Sequence, residues 1–374
     1  VSFGAVGTPT WFGFGQLGLS PGELGVVAWK TALVHSAAAC VAPVLAFRLL
    51  LGWREMRQSG LFIALAITAS VIPMLLLARV NHEFPSVAGG LIGLILTVWL
   101  ARHHIGLPHD HETEPAQSPP SFRVIVKALF PLWGTVLLLL ITRLPQLGLR
   151  ALLTATEPAW TCYLGPLGHF SASPSLVLGL RGIFGTAESW SLPVLYVPAF
   201  IPFVLMSALT WRVLSAPAGT AGKAWRESSA RMRPALPALF GALVFVHLMM
   251  VGGENSPVMI IGGWISSVAG SGWPFLASYL GALGAFFAGS CTVSNLTFGP
   301  IQDAIAAQHG LDRTTLLALQ SVGGAMGNMV AIHNIVAVCS VLGLRNVEGA
   351  ILRKTAPPML VYGLIAALAV LWLL

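Results

Sequence analysis

Apolar residues run along this chain in long blocks. They follow neither the alternation of a half-buried strand nor the one-sided stripe of a soluble helix. Segments 24–50, 61–79, 86–101, 124–142, 193–211, 234–252, 257–271, 273–289, 314–343 and 355–374 are apolar nearly all round. A bilayer crossing takes about 20 such residues in a helix. The pattern therefore predicts membrane helices, several of them irregular. Segment 86–101 is barely long enough, 257–271 and 273–289 are short and Gly-rich, and 314–343 is too long for one simple span. From Asn255 to Gln302 there is no Asp, Glu, Lys, Arg or His, yet Gly, Ser, Thr and Pro punctuate the run. An interrupted backbone facing lipid would leave its amides unpaired, so this stretch predicts broken or re-entrant helices shielded by protein. The expected fold class is an all-α polytopic membrane protein.

Composition narrows the function classes. Charged residues are 9% of the 374 and mean hydropathy is +0.81. A soluble domain carries roughly 25% charged residues. An ordinary soluble enzyme, a disordered chain and a nucleic-acid-binding module are excluded on that ground. The balance of 20 basic against 13 acidic residues sits in short loops, where it sets membrane orientation. Arg212, Lys223, Arg226, Arg231 and Arg233 face Glu227 alone, and Arg48, Arg54 and Arg57 face Glu55. Arg102, Arg123 and Lys127 are diluted by Asp110, Glu112 and Glu114. These loops are assigned to the cytoplasm, with loop 80–85 and segment 143–192 outside. Arg345, Arg353 and Lys354 fit that count poorly, as they would if one of the last segments were re-entrant. Pro158, Pro166, Pro174 and scattered aromatics make the 144–192 region a folded extramembrane cap or an interfacial stretch.

Cys40, Cys162, Cys291 and Cys339 are far apart, without a CxxC pair, and give no zinc, redox or disulfide signal. His103, His104, His109, Asp110 and His111 have metal-like spacing. Pro108 and Pro119-Pro120 instead mark a linker of solvated histidines, and no cofactor or metal is expected. The chain opens on Val1 with no basic stretch before an apolar core. It is expected to begin inside a longer protein, with no signal peptide.

Two stretches repeat one another. Ser2-Phe3-Gly4-Ala5-Val6-Gly7-Thr8-Pro9 and Gly289-Ser290-Cys291-Thr292-Val293-Ser294-Asn295-Leu296-Thr297-Phe298-Gly299-Pro300 each set small hydroxyl residues around a Phe-Gly step. Aligning Phe3 with Phe298 brings segments 24–50 and 314–343 into register within a few residues. Repeats with small-residue breaks point to a transporter binding site.

Beyond Phe275 the sequence resembles the lactate permease family. The residues that carry this are Gly281-Ala282-Leu283-Gly284, the Gly289–Asn295 run, Phe298-Gly299, and Gln320-Ser321-Val322-Gly323-Gly324-Ala325-Met326-Gly327-Asn328-Met329. His333-Asn334 and Glu348-Gly349-Ala350-Ile351-Leu352-Arg353-Lys354-Thr355 extend it, and Ser2–Pro9 looks like the matching motif of the first half. Members are longer at the N-terminus. Many carry a polar or acidic residue where Cys291 stands, which leaves ion coupling at that position open. The resemblance implies an inverted-repeat secondary transporter with paired re-entrant hairpins, multi-pass in the cell (inner) membrane. It implies a small carboxylate substrate, L-lactate or glycolate, moved with protons, with sodium an open alternative. The lipid bilayer is the other partner, nucleic acid is not, and a homo-oligomer is compatible. The implied organisation is 1–143 for the remainder of a first repeat, 144–192 for the extramembrane or interfacial segment, 193–252 for connecting helices, and 253–374 for a second repeat with its hairpin tip at 289–300.

Candidate site residues follow from the chemistry of the cargo. A carboxylate leaving water needs donors, which half-helix N-termini, hydroxyls and amides at a break supply without a full counter-charge. Ser290, Thr292, Ser294 and Asn295 offer them at the second tip, and Ser2, Thr8 and Thr10 at the first. Gln320 and Asn328 flank Gly323-Gly324-Ala325-Met326-Gly327, where three glycines weaken a helix. That glycine run reads equally as a packing stripe of the GxxxG type. For proton coupling the candidates are His333, His35, His247 and Glu254, because ionisable groups at membrane depth are costly and histidine titrates near neutrality. Each single hydroxyl or histidine also has a plain structural reading, as a packing or hydrogen-bonding group. Lys30 could attract the carboxylate or snorkel to the interface near Glu23. Two other functions stay open: a membrane subunit or fragment that needs a separate N-terminal part, and an intramembrane hydrolase. The hydrolase lacks paired carboxylates, and a Ser290–His333 pairing has no nucleophile motif around it. An enzyme is not expected.

The charge pattern gives a test. Single cysteines introduced in 51–60, 102–123 and 212–233 should resist an impermeant thiol reagent added outside intact cells. Labelling at any one of them overturns the assigned topology.

Overall fold

The computed structural model describes residues 2–49, 51–108, 121–143, 147–186, 189–197, 201–230, 233, 244, 248, 255, 257–342, 344 and 347–373. They fall into two compact units, Val1–His111 with Ser229–Leu374, and Glu112–Ser228.

In the first unit, helices α1 (Gly4–Trp11), α2 (Pro21–Ala39), α3 (Ala42–Arg48), α4 (Trp53–Gln58), α5 (Gly60–Ala78) and α6 (Pro85–Arg102) precede a later set. That set is α7 (Pro257–Ala269), α8 (Pro274–Ala288), α9 (Cys291–His309), α10 (Arg313–Gly327), α11 (Ile332–Leu342) and α12 (Glu348–Leu373). Among the described residues, Pro21–Arg48, Gly60–Ala78, Pro85–Arg102 and Glu348–Leu373 are long and apolar enough to cross a membrane. Local chemistry sets their limits. Ser20 and Glu23 form a capping box that opens α2 just before Pro21 at its first turn. Pro43 lacks the N–H that would continue α2 into α3, and the chain breaks at Cys40–Val41.

Helix α10 is the centre of this unit. Every residue from Thr315 to Gly327 is buried. Leu316, Leu319 and Val322 pack with Val34 of α2, Ala277 and Leu280 of α8, Ile301 and Ile305 of α9, and Ala366 and Ala369 of α12. Small residues set the α8–α10 distance. A Cβ on Gly323 would collide with the Ser278 carbonyl oxygen, and one on Gly327 with that of Ala282. The Gly323–Gly327 pair is thus a backbone-approach stripe. The unwinding considered for this run is absent: α10 stays helical to Gly327, because packing against α8 replaces what the glycines forgo in propensity. The break falls just beyond, at 328–331.

In the second unit, Phe122–Ala128 and Phe130–Thr142 form one apolar stretch bent by 63°. Ile201–Leu205, a π turn, runs into Met206–Val213. Between them lies a feature that corrects the all-α expectation, a four-stranded antiparallel sheet ordered β1 (Trp160–Tyr163), β2 (His169–Ala172), β3 (Val177–Arg181) and β4 (Ser189–Pro193). It occupies the proline- and aromatic-rich stretch read as a cap. Its register puts Thr161, Ser171, Gly179 and Ser191 in one row, with Cys162, Phe170, Leu180 and Trp190 in the next. Polar and apolar residues therefore alternate by strand period, in segments too short to stand out beside the helical blocks.

The close approach of α8 and α10 predicts an asymmetry between glycines. Gly323→Ala should destabilise the detergent-solubilised protein by about 1–3 kcal/mol, as overpacking does. Gly349→Ala, at a position with open space around it, should leave the melting temperature within a degree or so. Equal melting temperatures for the two variants would contradict the packing account.

Candidate functional site: a buried polar seam at two helix breaks

Helix α8 ends on Gly289, whose φ of 56° is left-handed and whose N–H donates to the Ala285 carbonyl at 2.7 Å. Ser290 is extended and its hydroxyl accepts from the Val293 N–H at 3.3 Å, which restarts the helix as α9. The turn of this hairpin is the Gly289–Ser290 step. The Phe298-Gly299-Pro300 part of the expected 289–300 tip lies inside α9. The second break, after α10, sits beside the first. Asn328 donates to the Gly324 carbonyl at 2.7 Å and accepts from Asn334 at 2.9 Å. The same Asn334 amide reaches the Gly289 carbonyl at 3.4 Å.

The N-terminal motif meets the start of α9. The Asn295 side-chain amide donates to the Pro9 carbonyl at 2.9 Å. Ser2 Oγ donates to the Ser321 carbonyl at 2.9 Å, and Cys291 Sγ lies 3.4 Å from that same oxygen. Thr10 Oγ1 reaches the Ser2 carbonyl at 3.5 Å. The two stretches that repeat in sequence thus adjoin around the middle of α10. Ser2, Asn295 and Ser321 have no solvent exposure, and Cys291 has 2%. Yet four buried side-chain oxygens have no hydrogen-bond partner among the described residues: Thr31 Oγ1, Ser278 Oγ, Asn295 Oδ1 and Ser321 Oγ. A buried polar atom left unpaired costs about 1–3 kcal/mol, so a native one calls for an explanation. Asn295 Oδ1 faces Gly324 of α10, which follows Ser321 by about one helical turn. A Cβ there would come within 3.4 Å of Asn295 Oδ1 and 2.9 Å of Cys291 Sγ.

A second chain of side chains crosses the core and is closed on itself. Trp273 Nε1 donates to Gln302 Oε1 at 2.7 Å, and Gln302 Nε2 donates to Gln320 Oε1 at 3.1 Å and to the Ala277 carbonyl at 3.0 Å. Gln320 Nε2 donates to Ser294 Oγ at 3.0 Å, and that hydroxyl donates to the Gly281 carbonyl at 2.7 Å. Ser294 and Gln320, both expected as donors to substrate, are engaged here in joining α8, α9 and α10. Gln302 was not singled out from sequence; a lone amide in an uncharged run was the available signal.

His35 sits on α2 between two hydroxyls, 2.8 Å from Ser2 Oγ and 2.5 Å from Tyr362 Oη of α12. Neither Tyr362 nor Ser321 was identified from sequence. Thr8 is half-buried in α1, and Thr292 is half-buried in the first turn of α9. His333 lies at the start of α11, with its side chain outside the described residues; His247 and Glu254 are also outside them.

Lys30 reaches a charge cluster that also holds Glu23. Its ammonium bonds Asp312 at 2.5 Å and Thr315 at 2.7 Å, while Glu23 pairs with Arg313 at 3.2 Å. Arg313 also pairs with Asp303 and donates to the Leu17 carbonyl at 2.7 Å. This charge cluster pins the α9–α10 turn to α2. Burial raises the proton affinity of the Asp312 carboxyl, but hydrogen bonds from Lys30, Thr315 and Thr314 outweigh it and hold the group well below the usual carboxylate range. Asp312 therefore stabilises the fold above its unfolded value, and that contribution fades only as pH falls toward the lowered one.

The family model described as L-lactate permease matches residues 1–374. A Haemophilus influenzae protein provisionally named an L-lactate permease is 46% identical over 373 residues, covering 100% of this chain and 70% of that protein. The Escherichia coli glycolate permease is 35% identical over 97 residues, 25% of this chain and 17% of its own. The Bacillus subtilis L-lactate permease is 28% identical over 134 residues, 36% of this chain and 23% of its own. No solved structure matches.

Proposed function

The chain belongs to the L-lactate permease family, and from that premise we propose that it carries L-lactate or glycolate across the membrane together with protons. Relatives bearing the names L-lactate permease and glycolate permease support transport of one of these acids. They point to a transporter and not to an enzyme. The chain is an integral membrane protein, and the cell (inner) membrane is its proposed location. The proposed architecture is an inverted repeat, 1–143 being the remainder of the first half and 253–374 the second, with tips at Ser2–Pro9 and Gly289–Pro300.

The observation that carries the substrate reading is that two of the four unpartnered oxygens, Asn295 Oδ1 and Ser321 Oγ, belong to residues bonded to the N-terminal motif. A 2-hydroxy acid presents both an acceptor, its carboxylate, and a donor, its hydroxyl. The Asn295 amide nitrogen is committed to Pro9, so its oxygen can only accept, which suits the substrate hydroxyl. Ser321 Oγ has a free proton to offer the carboxylate. Ser2, Cys291 and Asn328 complete the polar surroundings. Among the described residues no carboxylate side chain is hydrogen-bonded to Ser2, Cys291, Asn295 or Ser321, so there the anion meets dipoles and not a like charge. Discrimination between lactate and glycolate rests on one methyl, worth only about 1–3 kcal/mol. The hydroxyl is the stronger determinant, because its loss leaves a buried acceptor unpaired.

Uptake of labelled L-lactate into proteoliposomes tests this. A pH gradient should drive accumulation and a sodium gradient should not. Glycolate should compete, and propionate, which lacks the hydroxyl, should not. Asn295→Ala should raise the half-saturation concentration about tenfold, the effect of one buried hydrogen bond. Equal competition by propionate would remove the assigned role of Asn295. Sodium-driven accumulation would replace the proton.

A further inference from the structure

The His35 contacts specify which nitrogen holds the proton. Ser2 Oγ already donates its hydrogen to the Ser321 carbonyl, so it can only accept from His35. His35 Nε2 is then the N–H, and Nδ1 is the lone pair that accepts from the Tyr362 hydroxyl. The order of donation runs Tyr362 to His35 to Ser2 to the Ser321 carbonyl. It links α12, α2, the N-terminal motif and the middle of α10 in one line. A histidine that served only packing would need no such connection to the unpartnered Ser321.

We propose that His35 is the proton-binding group of the carrier, and that its charge reaches the substrate through Ser2. The inference rests on the transport reading above. A proton from the aqueous phase adds to the Nδ1 lone pair, giving an imidazolium that donates at both nitrogens. Tyr362 then turns and accepts where it had donated. The positive charge sits one serine from the cluster assigned to the substrate anion, so each ligand favours the other. This coupling is reciprocal by necessity: protonation raises lactate affinity and bound lactate raises the proton affinity of His35. The pair crosses without net charge, which lowers the cost of passage through the bilayer. On the far side the proton leaves from the same nitrogen, and lactate affinity falls with it.

Among the described residues no ionisable side chain other than Tyr362 hydrogen-bonds to His35. His82 and Glu83 pack against Gly7 of the N-terminal motif, and the Arg79 guanidinium lies over Trp29 of α2. From α12 only Tyr362 bonds to it; Glu348, Arg353 and Lys354 lie two or more turns away along that helix. Helix α5 presents Met74, Leu75 and Ala78 to this region and carries no charged residue. The N-terminal segment presents Phe3, edge-on at 6.3 Å, and Ser2. From α9 comes Cys291, which shares the Ser321 carbonyl. On α10 the nearest charge is Arg313, held by Asp303 and Glu23 at the far end, and on α2 it is Lys30, held by Asp312.

The test is the pH dependence of the half-saturation concentration for labelled L-lactate in proteoliposomes, between about pH 5 and 8. In the parent carrier it should fall about tenfold per pH unit above the midpoint as the medium is acidified, which is one proton per lactate. In His35→Gln, which keeps a donor for Ser2, it should lose its dependence on pH, and a pH gradient should no longer drive accumulation. Tyr362→Phe removes an acceptor that favours the charged ring more than the neutral one, because charge-assisted bonds are roughly twice as strong. Its midpoint should move down by about one pH unit. An unchanged midpoint in Tyr362→Phe, or an unchanged pH dependence in His35→Gln, would overturn the proposal while leaving a proton-coupled carrier in place. If His35→Gln does not fold, the Tyr362→Phe midpoint decides alone. A parent protein that moves no 2-hydroxy acid would remove the transport reading, and the assignment of His35 with it.

Discussion

The fold turns on how closely two backbones approach. Helices α8 and α10 touch through Gly281, Gly323 and Gly327, with no side chain between them. In lipid, apolar side chains gain little from one another, so small-residue contact and interhelical hydrogen bonds hold helices together. Because α10 is buried from Thr315 to Gly327, everything that stretch carries is removed from both water and lipid. Its polar residues must then be paired inside the protein, which is the condition the Trp273–Gln302–Gln320–Ser294 chain meets in full.

That closed network gives the open one its meaning. Gln320 belongs to a chain of side chains that is fully paired, while its neighbour Ser321 and Asn295 each keep an oxygen without a partner among the described residues. The two helix breaks sit beside these incompletely paired residues, and Asn334 ties Gly289 to Asn328 across them. Breaks provide backbone and side-chain groups that can change partners without unfolding a span. Under the proposed transport reading, the satisfied chain serves as scaffold and the incompletely paired residues exchange water for cargo.

Much of this was legible from residue order. The run from Asn255 to Gln302, apolar yet punctuated, marked the hairpin, and Gly289-Ser290 is a left-handed stop followed by a cap in any context. The repeat of Ser2–Pro9 against Gly289–Pro300 identified two segments that the fold does bring side by side. Other features were not legible because they depend on partners distant in sequence. Tyr362 and His35 are 327 positions apart, and Ser321 reads as a helix-packing serine until Ser2 is placed on its carbonyl. The ion-pair partner of Lys30, Asp312, arrives from the α9–α10 turn, 282 positions away in sequence. The sheet at 160–193 escaped notice since its strands are four or five residues long beside helices of up to 26.

The central claim is that the unpaired atoms beside the breaks receive the substrate. A structure of the protein determined with saturating L-lactate tests it most directly. The account predicts lactate with its hydroxyl within hydrogen-bond distance of Asn295 Oδ1 and its carboxylate on Ser321 Oγ. Lactate bound elsewhere, with both of those atoms still unengaged, would contradict it.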